Sequence, residues 1–454
     1  MTPAVCILAA GKGKRMVSNL PKVLHRVAGK PLVGHVLDTA ASLSSAAPIV
    51  IYGHGGDQLR AAFKDRAVVW VEQREQLGTG HAVVQALSHL PTDRLVLLLY
   101  GDVPLLSPAT LARLLAAAAP SGYSLLTANL ADPTGYGRIV RNPSGEIARI
   151  VEHKDATPEE LEIREVNTGI MAVQGSYLHK WLPALGNHNA QGEYYLTDCV
   201  ALAVAEGIRV AGVLTEDALE VTGVNDRSQL AEIERAYQHR KAEALMAQGV
   251  TLYDPARIDI RGQLDCGQDV IIDINAVFEG RVRLGDGVTI GPNCVITESI
   301  LGSGVEVLAN SVIDSAIIGS NARIGPFARV RPETELGANV HIGNFVEIKK
   351  SRIAEGSKVN HLAYIGDSEI GRNVNVGAGT ITCNYDGAFK HKTIIEDDVF
   401  IGSDTQLVAP VTVGRGATIG AGTTVTENVE AERLVISRVR QKTIAGWQRP
   451  RKPK

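Results

Sequence analysis

A basic loop with two glycines follows the first apolar run of the chain. Its sequence is Leu8-Ala9-Ala10-Gly11-Lys12-Gly13-Lys14-Arg15-Met16, and Pro21-Lys22 comes shortly after. Glycines let backbone N–H groups approach a phosphate closely, and Arg15 and Lys22 can neutralise its charge. The P-loop requires Ser or Thr after Gly-Lys, and the dinucleotide-binding fingerprint requires glycine where Met16 stands, so neither motif fits. A phosphate-binding loop and a glycine turn with solvated lysines are both open interpretations at this point.

Asp102 is the first candidate metal ligand. It follows the apolar run Leu95–Tyr100, and ligands of parallel sheets gather at the carboxyl ends of the strands. A lone carboxylate there suits Mg²⁺, which takes few protein ligands together with water and substrate phosphates. The alternative role for Asp102 is a helix or turn cap before Pro104. Asn225 could supply a second oxygen ligand, and a capping role beside the next helix fits its position equally well.

His361 is the candidate general base of the second half. A histidine changes its protonation state near neutral pH, so it is the natural choice for a base that takes a proton from a substrate. The chain has 12 histidines, so a surface histidine in a turn is the alternative. The neighbourhood favours a site, because several polar side chains surround one interrupted stretch of a repeat. They are Arg331, Lys349, Tyr364, Asn375, Asn384, Tyr385 and Lys390.

Composition limits the classes of protein to consider. A length of 454 residues predicts two or three domains, and 45% hydrophobic with 21% charged residues is typical of a globular protein. The net charge of -3 gives no reason to expect a nucleic-acid or membrane partner. Five widely separated cysteines indicate neither a zinc site nor a disulfide framework. Without a signal-like or bilayer-spanning apolar segment, we expect a cytoplasmic location and no membrane insertion.

Apolar runs alternate with helical patterns in residues 1–227. Strands are predicted at Val5–Ala10, Ile49–Tyr52, Val68–Val71 and Leu95–Tyr100, with a helix at Thr110–Ala119. This alternation predicts a Rossmann-like α/β domain with a mainly parallel sheet. Residues 228–249 are predicted to form a linker helix, which Asp226 and Gln229 cap and Gly249 ends.

A six-residue repeat fills residues 250–454 up to a tail that starts at about 429. Aliphatic residues recur at this spacing in two runs, Ile318, Ile324, Val330, Leu336, Ile342 and Ile348, and then Ile395, Ile401, Leu407, Val413, Ile419 and Val425. Such a period predicts a parallel β-helix, in which each aliphatic residue points inward at an equivalent position. The register slips between 349 and 394, and insertions in repeat proteins collect on the binding face.

Short motifs in the first half resemble the uridylyltransferase domain of the bifunctional GlmU family. They are LAAGKGKRM at 8–16, PK at 21–22, EQLGTGHA at 75–82, YGDVPL at 100–105, GYGRI at 135–139, VEHKDA at 151–156, VNTGI at 166–170, GEYYLTD at 192–198 and GVNDR at 223–227. The resemblance implies four groups of site residues. Leu8, Ala9, Ala10, Gly11 and Lys22 would hold the triphosphate beside Tyr100 and Gly101; Gln73, Gly78 and Thr79 would recognise uracil; Gly137, Glu152, Asn167, Tyr195 and Thr197 would hold the sugar; Asp102 and Asn225 would bind Mg²⁺. The sequence departs from the family at Lys14, where Thr is common.

Motifs of the second half resemble the acetyltransferase domain of the same family. They are RVRP at 329–332, GNFVEIKKS at 343–351, VNHLAYIGD at 359–367, NVGAGTITCNYDG at 375–387 and GSDTQLVAP at 402–410. The resemblance implies a left-handed β-helix that forms a homotrimer with sites between subunits, and His361 as the base. Arg331, Lys349, Tyr364, Asn375 and Lys390 would bind glucosamine 1-phosphate, while Ala378, Asn384, Tyr385, Ser403, Ala421 and Arg438 would bind acetyl-CoA. We add the hypothesis that Glu347 orients His361 and that a backbone N–H near Ala378 stabilises the oxyanion.

The implied function is synthesis of UDP-N-acetylglucosamine from small-molecule substrates. Acetyl-CoA would acetylate glucosamine 1-phosphate, and UTP with Mg²⁺ would then uridylylate the product, which supplies peptidoglycan and lipopolysaccharide. In the second step Arg15 and Lys22 would act by positioning and charge neutralisation. A sugar nucleotidyltransferase whose β-helix only assembles or senses effectors is the alternative. His361, Asn384-Tyr385 and Arg438 favour the bifunctional enzyme.

Overall fold

The structure is a computed structural model that describes residues 2–452. The chain divides into two compact units, with the boundary between Tyr237 and Gln238. In the part of the chain that is described, no helix is long and apolar enough to cross a bilayer.

The first unit is built on a nine-stranded sheet. Its strands, with a separate β2–β3 pair, are β1 (Ala4–Ala9), β2 (Arg26–Val27), β3 (Lys30–Pro31), β4 (Ile49–Tyr52), β5 (Val69–Glu72), β6 (Leu95–Tyr100), β7 (Tyr123–Asn129), β8 (Arg138–Arg141), β9 (Ile147–Val151), β10 (Glu165–Gln174) and β11 (Ala211–Leu214). The order is β11-β7-β10-β6-β1-β4-β5, and β8 pairs with both β9 and β10. The α-helices are α1 (Leu32–Leu43), α2 (Gly56–Ala62), α3 (Thr79–Ala86), α4 (Pro108–Ala118), α5 (Pro158–Leu161), α6 (Gly175–Trp181), α7 (Asp198–Ala205) and α8 (Arg227–Ala247).

The predicted α/β sheet is confirmed, and its strands agree with the apolar runs to within one residue. The strands β6, β1, β4 and β5, adjacent in that order, are parallel to one another. Their side chains alternate between two buried clusters, so that Cys6 and Leu98 pack on one face while Ile7 and Leu97 pack on the other. Burial on both faces explains why these strands are continuous apolar runs.

The strand β10 makes the sheet mixed, because it is antiparallel to β6 and β7. The chain reaches it from β7 through the β8–β9 hairpin and the four-residue helix α5, which is shorter than the crossover helix that usually joins parallel strands. The pairing of β1 with β6 places Leu8 opposite Tyr100, and Gly101 donates its N–H to the carbonyl oxygen of Leu8 at 2.9 Å. The glycine loop and Asp102 therefore leave the sheet side by side.

Helix α8 begins with reciprocal hydrogen bonds at its first turn. The Asp226 carboxylate accepts from the Gln229 N–H at 2.9 Å, and the Gln229 side-chain oxygen accepts from the Asn225 N–H at 2.8 Å. Such bonds satisfy backbone donors that have no partner within the helix. Asp226 is therefore the capping residue, and the side chain of Asn225 is left for another role.

The second unit is a parallel β-helix. One sheet contains β12 (Thr251–Leu252), β14 (Ile271–Ile272), β16 (Thr289–Ile290), β19 (Glu306–Val307), β22 (Arg323–Ile324), β25 (His341–Asn344), β28 (Lys358–His361), β31 (Asn375–Val376), β34 (Phe400–Ile401), β37 (Thr418–Ile419) and β39 (Leu434–Val435). The other two sides form one linked sheet of β13 (Ile258–Cys266), β15 (Ala276–Leu284), β17 (Val295–Thr297), β18 (Ile300–Leu301), β20 (Val312–Asp314), β21 (Ala316–Ile318), β23 (Arg329–Val330), β24 (Thr334–Leu336), β26 (Glu347–Lys349), β27 (Arg352–Ile353), β29 (Tyr364–Gly366), β30 (Ser368–Ile370), β32 (Ile381–Cys383), β33 (Thr393–Ile395), β35 (Gln406–Val408), β36 (Val411–Val413) and β38 (Thr424–Val425).

The six-residue repeat forms the core of this unit, as predicted. Every aliphatic residue of the two runs is less than 5% exposed, and their side chains belong to one continuous cluster. Equivalent positions in successive coils are 17 or 18 residues apart. One coil is longer, with an offset of 25 residues between Asn373 and Asp398, and its extra residues include a hairpin in which Tyr385 pairs with Lys390.

We predict that Ile342→Ala lowers the free energy of unfolding of this unit by about 2–5 kcal/mol, because it leaves a cavity in a narrow core. The matched control is Ile317→Ala, since Ile317 is 53% exposed and its truncation should cost about 0.5 kcal/mol or less. Native-state hydrogen exchange on peptides from residues 323–365 measures both variants. Equal losses of stability in the two variants would contradict the prediction that the repeated aliphatic residues point into the core.

Candidate active sites

A cavity of about 300 Å³ opens at the carboxyl ends of β1 and β6. It brings together ten of the residues predicted to bind nucleotide or Mg²⁺, namely Leu8, Ala9, Ala10, Gly11, Lys22, Gln73, Gly78, Thr79, Tyr100 and Asp102. Val23, Gln76, Ala82 and Glu193 also line it and were missed by the sequence analysis. Gln76, Ala82 and Glu193 lie within the motifs EQLGTGHA and GEYYLTD, and Val23 directly follows Lys22, but no role was assigned to any of the four.

Gly13 allows Lys22 to enter this site. Its φ of 58° lies in the left-handed region, which favours glycine. A Cβ added at Gly13 would lie 2.7 Å from the Cβ of Lys22. The glycine therefore serves both the turn and the close passage of the lysine stem, whereas the Arg15 side chain is exposed and does not line the cavity.

The Lys22 ammonium contacts side-chain oxygens of two other residues in this site. Its ammonium donates to the Asp102 carboxylate and, at 3.1 Å, to the side-chain oxygen of Asn225. Asn225 reaches this position because the Val224 N–H donates to the Asp102 carbonyl oxygen at 2.9 Å. The two oxygens thus converge on a single cationic group. This donor set fits Mg²⁺, which prefers hard oxygen ligands and completes its shell with phosphate oxygens and water.

A second turn shapes the far wall of the cavity. Gly78 has a φ of 112°, and a Cβ there would lie 2.5 Å from the Tyr194 carbonyl oxygen, so only glycine fits. The buried Gln73 side chain donates to the Gly78 carbonyl oxygen at 3.1 Å. Thr79 accepts the Leu196 N–H at 3.1 Å. These bonds fix a rigid rim opposite the glycine loop.

The predicted sugar-binding residues are grouped by the strands β8, β9 and β10. Thr197 donates to the Glu152 carboxylate at 3.0 Å, and a Cβ on Gly137 would lie 3.4 Å from the same group. The Asn167 N–H donates to the Gly137 carbonyl oxygen at 2.8 Å. Burial raises the pKa of Glu152 above its ordinary value, because a carboxylate loses hydration there. Glu152 and Tyr195 also line a neighbouring cavity of about 360 Å³.

His361 has a hydrogen-bond partner one coil before it. Its Nδ1 lies 2.8 Å from the side-chain oxygen of Asn344, which is its register partner between β25 and β28. Because that oxygen can only accept, Nδ1 carries the proton and Nε2 is left with a free lone pair. The ring is exposed, so Nε2 is available to take a proton.

The expected contact between Glu347 and His361 is not formed, and this hypothesis is corrected. Glu347 instead accepts from the Arg331 guanidinium at 2.7 Å. Glu347 belongs to a different side of the β-helix from β28, whereas Asn344 precedes His361 by 17 residues on the same side. That one-coil spacing is the signal that could have identified Asn344 from sequence.

Small residues continue the His361 position along the next coils. The Asp404 N–H donates to the Ala378 carbonyl oxygen at 2.7 Å, and the Gly422 N–H donates to that of Ser403 at 2.8 Å. Ala378, Ser403 and Ala421 thus follow one another at equivalent positions, about 4.8 Å apart per coil. The Arg438 side chain lies beside Gly420 and Gly422, at the end of this row.

The polar residues on the adjoining side form a network. Lys349 lies 3.9 Å from the Asp367 carboxylate, which accepts from the Asn384 amide, and that amide lies 3.4 Å from the Tyr364 hydroxyl. Asp367 was not predicted as a site residue. Asn375 lies in β31 on the side that carries His361, and no hydrogen bond joins it to this network among residues 2–452.

A hairpin presents Tyr385 and Lys390. The Lys390 ammonium lies 4.4 Å from the centre of the Tyr385 ring. Asp386 holds the turn, because it accepts from the Phe389 N–H at 2.7 Å and from the His391 ring at 2.6 Å. These hydrogen bonds lower the pKa of Asp386.

Comparison with known proteins agrees with this arrangement along the whole chain. Residues 5–251 match the MobA-like NTP transferase domain, residues 260–342 and 320–405 match the GMPPB C-terminal domain, and residues 392–427 match the bacterial transferase hexapeptide of six repeats. The bifunctional protein GlmU of Marinobacter nauticus is 58% identical over 448 residues, which are 99% of each chain. That of Methylococcus capsulatus is 59% identical over 447 residues, covering 98% of this chain and 97% of the relative.

The chain belongs to the bifunctional GlmU family. The resemblance inferred from the motifs is confirmed, and the chain is an enzyme with a nucleotidyltransferase domain and a hexapeptide-repeat transferase domain. As a GlmU relative it acts on small molecules, among them a nucleoside triphosphate.

We predict that Gly13→Ala weakens the binding of UTP at least about ten-fold, because the added methyl displaces Lys22. Gly145→Ala is the matched control, since Gly145 also has positive φ but no atom lies within 4 Å of the added Cβ. Both variants should lose about 1–2 kcal/mol of stability from backbone strain. Isothermal titration with UTP and thermal unfolding separate the two effects, and equal UTP affinities in both variants would show that Gly13 serves the turn alone.

Proposed function

We propose that this enzyme makes UDP-N-acetylglucosamine in two steps. Acetyl transfer from acetyl-CoA to glucosamine 1-phosphate comes first, and uridylyl transfer from UTP to N-acetylglucosamine 1-phosphate follows with release of pyrophosphate. The observation that carries the proposal is that a chain matching a GlmU protein over 99% of both lengths has two sites. One is a cavity where Lys22 contacts Asp102 and Asn225, and the other is an exposed histidine whose Nδ1 is already bonded. The product would supply peptidoglycan and lipopolysaccharide.

Uridylyl transfer needs positioning and charge neutralisation rather than a general base. An oxygen of the sugar 1-phosphate attacks the α-phosphorus of UTP, and the bond to the β-phosphate oxygen breaks. The nucleophile is already an anion, so the obstacle is the approach of two negative groups. Lys22 and the N–H groups of the glycine loop reduce that repulsion within the cavity, and Arg15, which is exposed outside it, would add its charge from the same loop. Asp102 and Asn225 would hold Mg²⁺, which when bound supplies further neutralisation of the phosphate oxygens.

The uracil ring and the sugar would be recognised on opposite sides of the reacting phosphates. Gln73, Gly78 and Thr79 would contact uracil, because the rigid rim that they form faces the glycine loop across the cavity. Gly137, Asn167 and Thr197 would surround the sugar, with Glu152 and Tyr195 as hydroxyl partners. Tyr100 closes the floor between them, and burial together with Asp102 and Glu152 raises its pKa, so it stays a neutral phenol near pH 7.

Acetyl transfer follows from the orientation of His361. Nε2 takes a proton from the amine of glucosamine 1-phosphate while the amine nitrogen attacks the thioester carbonyl carbon. The C–S bond then breaks, and coenzyme A leaves as the thiolate. A backbone N–H near Ala378, one coil beyond His361, would stabilise the oxyanion. Arg331, Lys349, Tyr364, Asn375 and Lys390 would hold the amino sugar and its phosphate.

The row of small residues suits an extended acyl donor. Ala378, Ser403 and Ala421 leave a shallow path along equivalent positions of successive coils, with Arg438 as a cation at its end. Asn384 and Tyr385 would complete the acetyl-CoA site. This placement would bring the thioester to His361 and the phosphates of coenzyme A to Arg438, since opposite charges attract.

We further propose a homotrimer, a cytoplasmic location and domain limits at 1–227, 228–249 and 250–454. The support for association is an exposed apolar row beside His361. Phe327 and Phe345 stack with ring centres 5.3 Å apart, and with Leu362 they have positive φ, which is costly for bulky residues. Five free cysteines support a reducing compartment.

We predict that Asp102→Ala lowers uridylyl transfer about a thousand-fold and leaves acetyl transfer unchanged, because only the first site loses its carboxylate. Glucosamine 1-phosphate, acetyl-CoA, UTP and Mg²⁺ are supplied together and the products are separated by chromatography. The unaltered chain should yield UDP-N-acetylglucosamine, and the variant should accumulate N-acetylglucosamine 1-phosphate. Near-normal nucleotide sugar from the variant would refute the role of Asp102, and no acetylated sugar from either chain would refute the bifunctional proposal.

We predict that Asn344→Asp moves the acid limb of the pH profile of acetyl transfer to higher pH. A carboxylate beside Nδ1 stabilises the imidazolium, so the base stays protonated up to a higher pH. Glu347→Gln is the control and should leave that limb in place, since Glu347 contacts Arg331 instead. The measurement is kcat/KM for acetyl transfer between pH 5 and 9. A shift of the acid limb with Glu347→Gln but not with Asn344→Asp would restore the hypothesis that Glu347 orients His361.

A further inference from the structure

Asp367 connects side chains from three successive coils. Its carboxylate accepts from the Asn384 amide in the following coil and lies 3.9 Å from the Lys349 ammonium in the preceding one. The Tyr364 hydroxyl closes the group at 3.4 Å from the same amide. The side chain of Asp367 is only 12% exposed. It therefore touches residues from both proposed substrate sets of acetyl transfer.

The contact with Asp367 determines which way the Asn384 amide points. An ionised carboxylate accepts hydrogen bonds and cannot donate them, so the nitrogen of the amide, not its oxygen, must face it. The same nitrogen also faces the Tyr364 hydroxyl. Both N–H bonds of Asn384 are consequently directed into the network.

The amide oxygen of Asn384 remains free. Within residues 2–452 no donor bonds to it. The residue as a whole is only 5% exposed, but this oxygen is not one of the fully buried polar atoms that lack a partner, so it can still be reached from solvent. An acceptor that is held rigidly and still reachable is suited to a ligand N–H group. The surrounding packing keeps it in place, because a Cβ on Gly366 would lie 2.7 Å from the amide nitrogen.

We propose that Asp367 is a positioning residue, which fixes the amide of Asn384 so that its carbonyl oxygen accepts an N–H of a bound substrate. The proposal rests on the acetyl transfer described above. Two groups offer that chemistry, the amine of the amino sugar and an amide N–H of the acyl-carrying arm of coenzyme A. A neutral residue at 367 could not enforce the orientation, since an asparagine there would pair with either end of the Asn384 amide.

The first test is Asp367→Asn, which preserves size and tolerates the positive φ at this position. We expect KM for one substrate of acetyl transfer to rise about ten-fold with a smaller change in kcat, the loss expected when a ligand N–H meets a wrongly turned amide. A rise for glucosamine 1-phosphate identifies the sugar amine as the donor, and a rise for acetyl-CoA identifies the coenzyme arm. Unchanged KM values for both would overturn the proposal.

The matched control is Glu369→Gln, which removes the same charge two residues away. Glu369 pairs with Lys392 and its side chain is 47% exposed, so we expect unchanged KM values. Equal effects of Glu369→Gln and Asp367→Asn would show a general charge effect and overturn the positioning role.

The decisive variant is the exchange of both residues, Asp367→Asn with Asn384→Asp. The amide introduced at position 367 would then donate to the carboxylate introduced at position 384, whose second oxygen restores an acceptor toward the substrate. We expect the double variant to have a KM close to that of the unaltered chain, although each single change raises KM. A purely structural role would instead give additive increases in KM. Absence of acetyl transfer from the unaltered chain would refute the proposed function itself, whereas normal activity with additive losses refutes only the role of Asp367.

Discussion

Register between parallel strands is the constraint on which both sites depend. In the first unit, pairing of β1 with β6 places Leu8 opposite Tyr100, and this pairing brings the glycine loop to Asp102. In the second unit, pairing of β25 with β28 places Asn344 beside His361. Side chains alternate along a strand, so a slip of one residue would turn these groups to the other face. Such a slip is opposed because both faces of the first sheet and the interior of the β-helix are buried.

Both sites hold a charged residue against a rigid neutral partner. Lys22 lies between Asp102 and the amide oxygen of Asn225, while Asp367 lies between Lys349 and the amide nitrogen of Asn384. A single amide can present either end, and the charge of its neighbour decides which. The two sites therefore use asparagine in opposite senses, with the oxygen directed to a cation in one and the nitrogen directed to an anion in the other.

Much of the fold follows from sequence patterns, because burial repeats with the local period. Continuous apolar runs predicted the strands of the first sheet, and the six-residue repeat predicted the β-helix, since both patterns are set by neighbours close in the chain. The antiparallel course of β10 was not predicted, because strand direction depends on which connection precedes it. Insertion of the hairpin was visible only as a slip in the repeat.

The site residues were less predictable where they depend on contacts between coils. Motifs identified most of the cavity in the first unit. Gln76 and Glu193 also line it and lie within two of those motifs, but the sequence alone assigned them no role. Glu347 was expected to orient His361, yet the β-helix places it on another side. Counting back one coil leads to Asn344, and counting forward one coil from Lys349 leads to the turn that holds Asp367. The repeat period thus carried more information about the site than residue type did.

The lengthened coil has a consequence for how such a protein can change. Strand pairing resumes undisturbed on both sides of the hairpin, because Ile370 still pairs with Ile395 and Val376 with Ile401. In a solenoid each coil contacts only its neighbours, so an added segment is a local event. Excursions of this kind can vary in length and chemistry while the scaffold stays the same, which lets acceptor and donor preferences diversify independently of the architecture that supports them.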